Sequence, residues 1–496
     1  MSASDSTLEQ RAPLDTKQTP EGRKPGIILA FIGVAQFMVF LDVSIVNVAL
    51  PSIQDSLKMP EVNLEYIITA YGTVLGGFLL LGGRLADRFG RRRMLQSGLV
   101  VFALTSLVAG LAQNDAMLIG ARAVQGLGSA LIAPAALSIL TNTFAEGPAR
   151  NKALGIWGAL TGMASVAGVI LGGLLTQGPG WRWIFFINVP IGLVAAAIAP
   201  TIVREGRGKS RETFDTAGAV ALTASLLLLI FTLGEAVYVG WTTFRTIGSL
   251  AGVVVLFVAF LVIESRAASP LIPLSIFRLR ALRTANVATV LLFGTTVTLF
   301  FFASLFMQQV YGYSPTRAGL AYVPLAIVVS VGAGLASNLV TKVAAKPVLL
   351  IGLSLTSVGL FLLWRAPAYG SYAVDLLPAF LIVGLGLGMS FVTLQITAFV
   401  GVGKEESGLA AGLINTSQEA GGALGVAIAA TIAFSKIAPL KAAAHGDPVL
   451  LRYGRAEVFH QAFLVGIFFS VGALLLAVAL LPWARPSDRP DTLPVA

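Results

Sequence analysis

Gly83-Arg84-Leu85-Ala86-Asp87-Arg88-Phe89-Gly90-Arg91-Arg92-Arg93 is the most informative stretch of the chain. One acid stands among five arginines, framed by glycines, between two apolar runs at 66–84 and 94–113. Gly83 permits close helix approach, and Gly90 allows a tight turn. Asp87 can pair with one arginine and sit against a neighbouring helix N-terminus. A basic loop at a membrane surface explains the arginines. It does not explain the acid and the two glycines at this spacing.

The rest of the chain fits a membrane setting. Of 496 residues, 56% are hydrophobic and 12% charged, with a mean hydropathy of +0.84. Soluble domains carry about a quarter charged residues, so a soluble enzyme, a disordered chain and a fibre are all excluded. A span needs about 20 residues, and fourteen apolar segments of that order follow one another. They are 26–50, 66–84, 94–113, 117–140, 153–176, 183–203, 216–236, 246–264, 284–310, 318–341, 347–365, 375–400, 407–435 and 458–483. The expected fold is therefore an all-α membrane protein.

The net charge of +10 admits nucleic-acid binding or a membrane with asymmetric loops. With the N-terminus inside, the inner segments hold 24 basic residues and the outer loops nine, Arg122 lying within a span. That is a topology signal, and it predicts two cytoplasmic termini and no nucleic acid. Cysteine is absent and the two histidines, His445 and His460, stand apart. No thiolate or His-rich metal site is expected, which disfavours a membrane-embedded enzyme. No phosphate-binding P-loop is present, so ATP is not expected to drive the chain.

A faint repeat sets Leu85–Leu95 against Leu339–Leu349, 254 residues later, with Gly98 matched by Gly352. Spans 1–6 and 9–14 then form two halves, a transporter architecture with the substrate path between them. The divisions are a tail at 1–25, a half at 26–203, a linker with two inserted helices at 204–283, a half at 284–483 and a tail at 484–496.

Three charges lie inside spans: Asp42, Arg122 and Glu419. Each costs at least about 2.5 kcal/mol on insertion scales, so each is a functional candidate. At 1.5 Å per residue, Asp42 and Arg122 sit at about the same depth, 8–12 Å from the outer face. Pairing is possible, either as a structural ion pair or as a proton site. Gln125 follows Arg122 on the same face. Glu419 lies near the middle of its span, with Gln418 and Asn415 close by and Gly421 and Gly422 after it. Asp375, Glu235 and Glu264 fall near span ends, where interfacial solvation is expected.

The stretch at 83–93 resembles the loop between helices 2 and 3 of the major facilitator superfamily, and fourteen spans point to its drug:proton antiporter group. Leu41-Asp42-Val43-Ser44-Ile45-Val46-Asn47-Val48-Ala49-Leu50-Pro51, Arg122-Ala123-Val124-Gln125-Gly126-Leu127-Gly128, Trp181-Arg182-Trp183-Ile184-Phe185-Phe186-Ile187-Asn188-Val189-Pro190 and Gln309-Val310-Tyr311-Gly312-Tyr313-Ser314-Pro315 resemble other motifs of that group, in order. Span 5 carries Gly168, Gly172 and Gly173, but Val169 stands where the antiporter motif usually has proline. The resemblance implies a multi-pass inner-membrane exporter of amphiphilic drugs or antibiotics. It would be driven by a proton gradient without a cofactor, with a specific metabolite exporter or importer as the alternative. It assigns proton coupling and substrate to Asp42, Arg122, Gln125 and Glu419. Gating at the cytoplasmic side falls to Gly83, Asp87, Arg88, Gly90 and Arg91.

Overall fold

The computed structural model describes residues 25–481 except 60, 206–214, 268–269, 271, 404–405, 437–439, 441–444 and 446. The two expected tails, apart from Pro25, therefore lie outside the described residues, as does most of the start of the 204–283 linker. Among the described residues there are helices and no strands. This is what a bilayer demands of a chain that must satisfy its own backbone.

The helices are α1 Pro25–Leu57, α2 Glu61–Phe89, α3 Arg91–Gly110, α4 Asp115–Thr143, α5 Pro148–Gln177, α6 Trp183–Phe186, α7 Asn188–Ile202, α8 Thr216–Val239, α9 Phe244–Arg266, α10 Arg280–Gln309, α11 Pro315–Ala321, α12 Val323–Val343, α13 Ala345–Trp364, α14 Leu377–Ala398, α15 Ser407–Phe434 and α16 Pro448–Leu480. Twelve segments are long and apolar enough to cross a membrane, the α6–α7 and α11–α12 pairs each counting once. The 30-residue α5 and the 28-residue α15 are not among the twelve, yet both pack within the bundle. Polar caps close several ends. Asn114 accepts from Met117 N at 2.9 Å, and Asp215 accepts from Gly218 N at 2.8 Å.

Several helices run past the expected spans, α1 to Leu57 among them, and two differences bear on the site. The stretch at 83–93 is not a loop: α2 runs through Phe89 and α3 starts at Arg91, so Gly90 alone makes the turn. Its φ of +105° is one that glycine adopts without strain. The Asp87–Arg91 pair bridges the turn at 3.1 Å. At the other end of the chain, α16 starts ten residues before the expected span at 458–483, so part of the stretch between the last two spans is helix. Asp447 caps it by accepting from Val449 N at 2.8 Å.

The packing is repetitive. α2 and α3 pack on α4, and α1 packs on α5. In the same way α12 and α13 pack on α14, and α10 packs on α15. Across the middle, α2 meets α15 and α5 meets α12. α8 touches α2, α9 and α15, so the inserted pair lies against the seam. Trp241, between α8 and α9, donates to Thr431 of α15 at 2.5 Å.

Candidate functional site

Span 6 is interrupted at Ile187, where Pro190 offers no N–H to the Phe186 carbonyl. Asn188 therefore opens α7 at a break, facing α1. There it meets Asp42, which is completely buried. Asp42 accepts three hydrogen bonds, from Arg122 Nη1 at 2.5 Å, Gln125 Nε2 at 2.9 Å and Asn188 Nδ2 at 3.0 Å. Charge-assisted bonds of this kind are about twice as strong as neutral ones.

Arg122 is also buried. Its Nη1 donates to Gln125 Oε1 at 2.7 Å and its Nε to the Ile67 carbonyl at 3.1 Å. The guanidinium lies over the Tyr71 ring, 4.2 Å from its centroid, with Phe185 5.9 Å away. Gln125 Nε2 reaches Ser106 Oγ at 2.9 Å, and Tyr71 shares a 2.8 Å hydrogen bond with Ser129. Residues of α1, α2, α3, α4, α6 and α7 thus meet around one ion pair. One acceptor is left over: Asn188 Oδ1 is buried without a partner.

The structure brings Asp42, Arg122 and Gln125 together but leaves Glu419 outside their hydrogen bonds. Glu419 is half-buried on α15 and makes no hydrogen bond or ion pair among the described residues. It packs on α2 at Gly76, where a Cβ would stand 3.2 Å from that of Glu419. Of the span 5 glycines, Gly168 lies against Leu41, Ser44 and Ile45, the turn of α1 that carries Asp42. Gly172 lies against Ile45 and Val48, whereas Gly173 faces open space. The α5 backbone continues unbroken through residue 169.

At the far end of α2, Asp87 crosses to α15. Its Oδ1 accepts Gly408 N at 3.0 Å and its Oδ2 accepts Leu409 N at 2.9 Å. Gly83 makes this approach possible, because a side chain there would strike the Gly408 carbonyl and the Gly412 Cα. Arg91 holds the same carboxylate, and Arg88 lies over the Phe89 ring at 5.5 Å. From α4, Ser138 and Asn142 bond Ser407 at 2.8 and 2.6 Å. Arg84 turns the other way and donates to the Pro270 carbonyl at 2.8 Å.

Glu264 departs from its expected place in the interface. It is buried, because the chain after α9 folds back over it and Ile272 N donates to its Oε1 at 2.6 Å. Glu235 instead pairs with Arg245 at 2.6 Å, and Asp375 accepts from Ser371 N at 2.7 Å. Sequence reasoning missed Asn188, Tyr71 and Ser106 as partners of the buried charges. Asn188 alone carried a signal: an amide followed closely by proline inside an apolar run.

Comparison with known proteins places this geometry. The sequence model of the Major Facilitator Superfamily matches residues 32–426. The cephamycin export protein CmcT of Amycolatopsis lactamdurans is 36% identical, over 93% of this chain and 92% of its own length. The puromycin resistance protein pur8 of Streptomyces alboniger is 34% identical over the same shares. The lincomycin resistance protein of Streptomyces lincolnensis is 33% identical over 96% of each chain. Among solved structures, the human organic anion transporter MFSD10 superposes with a TM-score of 0.64 at 15% identity, covering 90% of this chain and all of its own.

Proposed function

Because the chain belongs to the Major Facilitator Superfamily, we propose that it exports amphiphilic antibiotics or drugs in exchange for protons. It is a multi-pass inner-membrane transporter and not an enzyme. The cargo class rests on relatives that export cephamycin or confer resistance to puromycin and lincomycin. The proton is the part read from this chain.

The reading adds α5 and α15 to the twelve apolar segments, giving fourteen spans with both termini cytoplasmic. Two six-helix halves, 26–203 and 284–483, flank the inserted pair and rock about a central cavity. No cofactor and no ATP enter. The proton gradient is the energy source.

One observation carries the proton assignment: a carboxylate wholly inside a span, held by an arginine and two amides. Such a group can trade one positive partner for another, and a proton competing with a cation at one buried acid is the exchange an antiporter needs. A neutral Asp42 would leave Arg122 its other partners. Arg122 would keep Gln125 Oε1, the Ile67 carbonyl and the Tyr71 face, while a protonated carboxyl would supply the donor that Asn188 Oδ1 lacks. Glu419, at the seam between α2 and α15, is the proposed second acid, binding cargo or a proton. The Asp87 grip on α15 would gate the cytoplasmic side.

In proteoliposomes with an imposed proton gradient, the wild type should move puromycin or lincomycin against the proton flux. Asp42→Asn keeps the shape and should abolish gradient-driven transport while leaving cargo binding measurable. Transport at wild-type rate in Asp42→Asn would overturn the proton assignment, and flux in the opposite sense would overturn export.

A further inference from the structure

At the end of the bundle opposite Asp87, α10 and α16 converge on a recess of about 340 Å³. It is lined by Gln309, Tyr311, Gly312, Leu451, Arg452 and Arg455. Two arginines outnumber the acid beside Tyr311, Asp375, whose carboxylate accepts from Ser371 N at 2.7 Å. Neither arginine is in an ion pair among the described residues, and Arg455 makes no side-chain hydrogen bond there. The adjacent acid, Asp447, has its carboxylate committed to capping α16 through Val449 N and Leu450 N.

Arg452 is held in position. Its Nε donates to the Ala368 carbonyl at 2.9 Å, and its guanidinium lies 4.2 Å from the Tyr369 ring centroid. Those contacts leave both terminal nitrogens for a ligand. Two guanidiniums beside an amide match a phosphate, whose oxygens take a planar donor fork.

The rim shows what carries that phosphate. Beside Arg452, Val449 on the same helix and Tyr369 against its guanidinium are 48% and 52% exposed. Aromatic and apolar side chains exposed at the end of a spanning bundle belong at the height where lipid headgroups meet acyl chains. A soluble anion needs no such rim, whereas an acyl-bearing one does. We infer that this recess binds the headgroup of an anionic phospholipid, the phosphate on Arg452 and Arg455 and the first acyl carbons along Val449 and Tyr369. The inference is independent of proton coupling.

The test uses the full-length protein in an uncharged detergent, titrated with short-chain phosphatidylglycerol. Matched arms contain phosphatidylcholine of the same chain length or inorganic phosphate. Thermal unfolding midpoint and native mass spectrometry of lipid adducts read binding. Phosphatidylglycerol should raise the midpoint and remain attached, with the other two ligands at least tenfold weaker. The double variant Arg452→Gln/Arg455→Gln should lose at least tenfold in phosphatidylglycerol affinity. Arg317→Gln removes a charge that lies over Tyr313 outside the recess lining, and it should bind as wild type. Arg455→Gln alone makes the same test if the double variant fails to fold. Three results would overturn the site: undiminished affinity in the recess variants, equal weakening in Arg317→Gln, or inorganic phosphate binding as tightly as the lipid.

Discussion

The turn at Gly90 and its counterpart at Ala344, 254 residues later, are the same piece of backbone used in two ways. Gly90 has a φ of +105° and Ala344 one of +113°, each directly before a helix that opens the third span of its half. The following basic residues act alike. Arg92 pairs with Glu205 just past α7 at 3.3 Å, and Lys346 Nζ donates to the Val478 carbonyl near the end of α16 at 2.7 Å. Each ties the third span of a half to the sixth. The acid breaks the likeness. Asp87 reaches α15, while Thr341, in the same register, bonds only the Asn338 carbonyl of its own helix at 2.6 Å. The shared turn is architecture, and the carboxylate bond between halves is an addition made at the first turn, the α12–α5 side being joined instead by Ser330 to the Ala159 carbonyl at 3.2 Å.

Removing that addition should have the largest effect. Asp87→Ala strips a charged acceptor from two buried amides, costing about 1.5–3 kcal/mol, or roughly 10–100-fold in the balance between closed and open at this end. The chain contains no cysteine, so Ser138→Cys with Ser407→Cys reports this directly. Disulfide yield between the two should fall sharply in Asp87→Ala, and unchanged yield would mean the grip is incidental.

Altering the turn itself comes next. Gly90→Ala imposes a positive φ on a side chain that would also collide with Glu205, and it should lower stability by about 1–3 kcal/mol. The reverse change, Ala344→Gly, relieves strain that the second half carries, and should gain about 0.5–1 kcal/mol, read as a higher unfolding midpoint. Thr341→Ala should be smallest, within about 0.5 kcal/mol, and should leave the Ser138–Ser407 disulfide yield unchanged. A large fall there would show that both copies hold the halves together.

The same contrast marks how far the sequence could be read. Asp42, Arg122 and Gln125 stood out because an ion inside an apolar run is expensive, so its presence demands a partner at the same depth. The repeat was visible at Leu85, Leu95 and Gly98. Ala344 was not recognisable as a strained turn, since alanine is the strongest helix former and nothing local announces a positive φ. Asn188 and Tyr71 are neutral, and their partners lie on other helices whose rotation fixes the contact. Glu264 was misread because only the fold shows the chain after α9 closing over it. The stretch at 83–93 was expected as a loop because its charges hide a helix that continues through Phe89 and is bridged by Asp87 and Arg91.

The grip of Asp87 on α15 is made to main-chain amides, and this decides where its information is stored. Leu409 could be exchanged for many other residues without removing an N–H, since of the twenty only proline lacks one, whereas Gly408 is held to glycine by the Gly83 carbonyl and Asp87 against it. Across the seam, position 87 therefore has no partner side chain to change in step with it, Arg91 being on its own side. A contact that joins the two halves would leave no trace in correlated substitutions, although the acid itself would be under strong constraint.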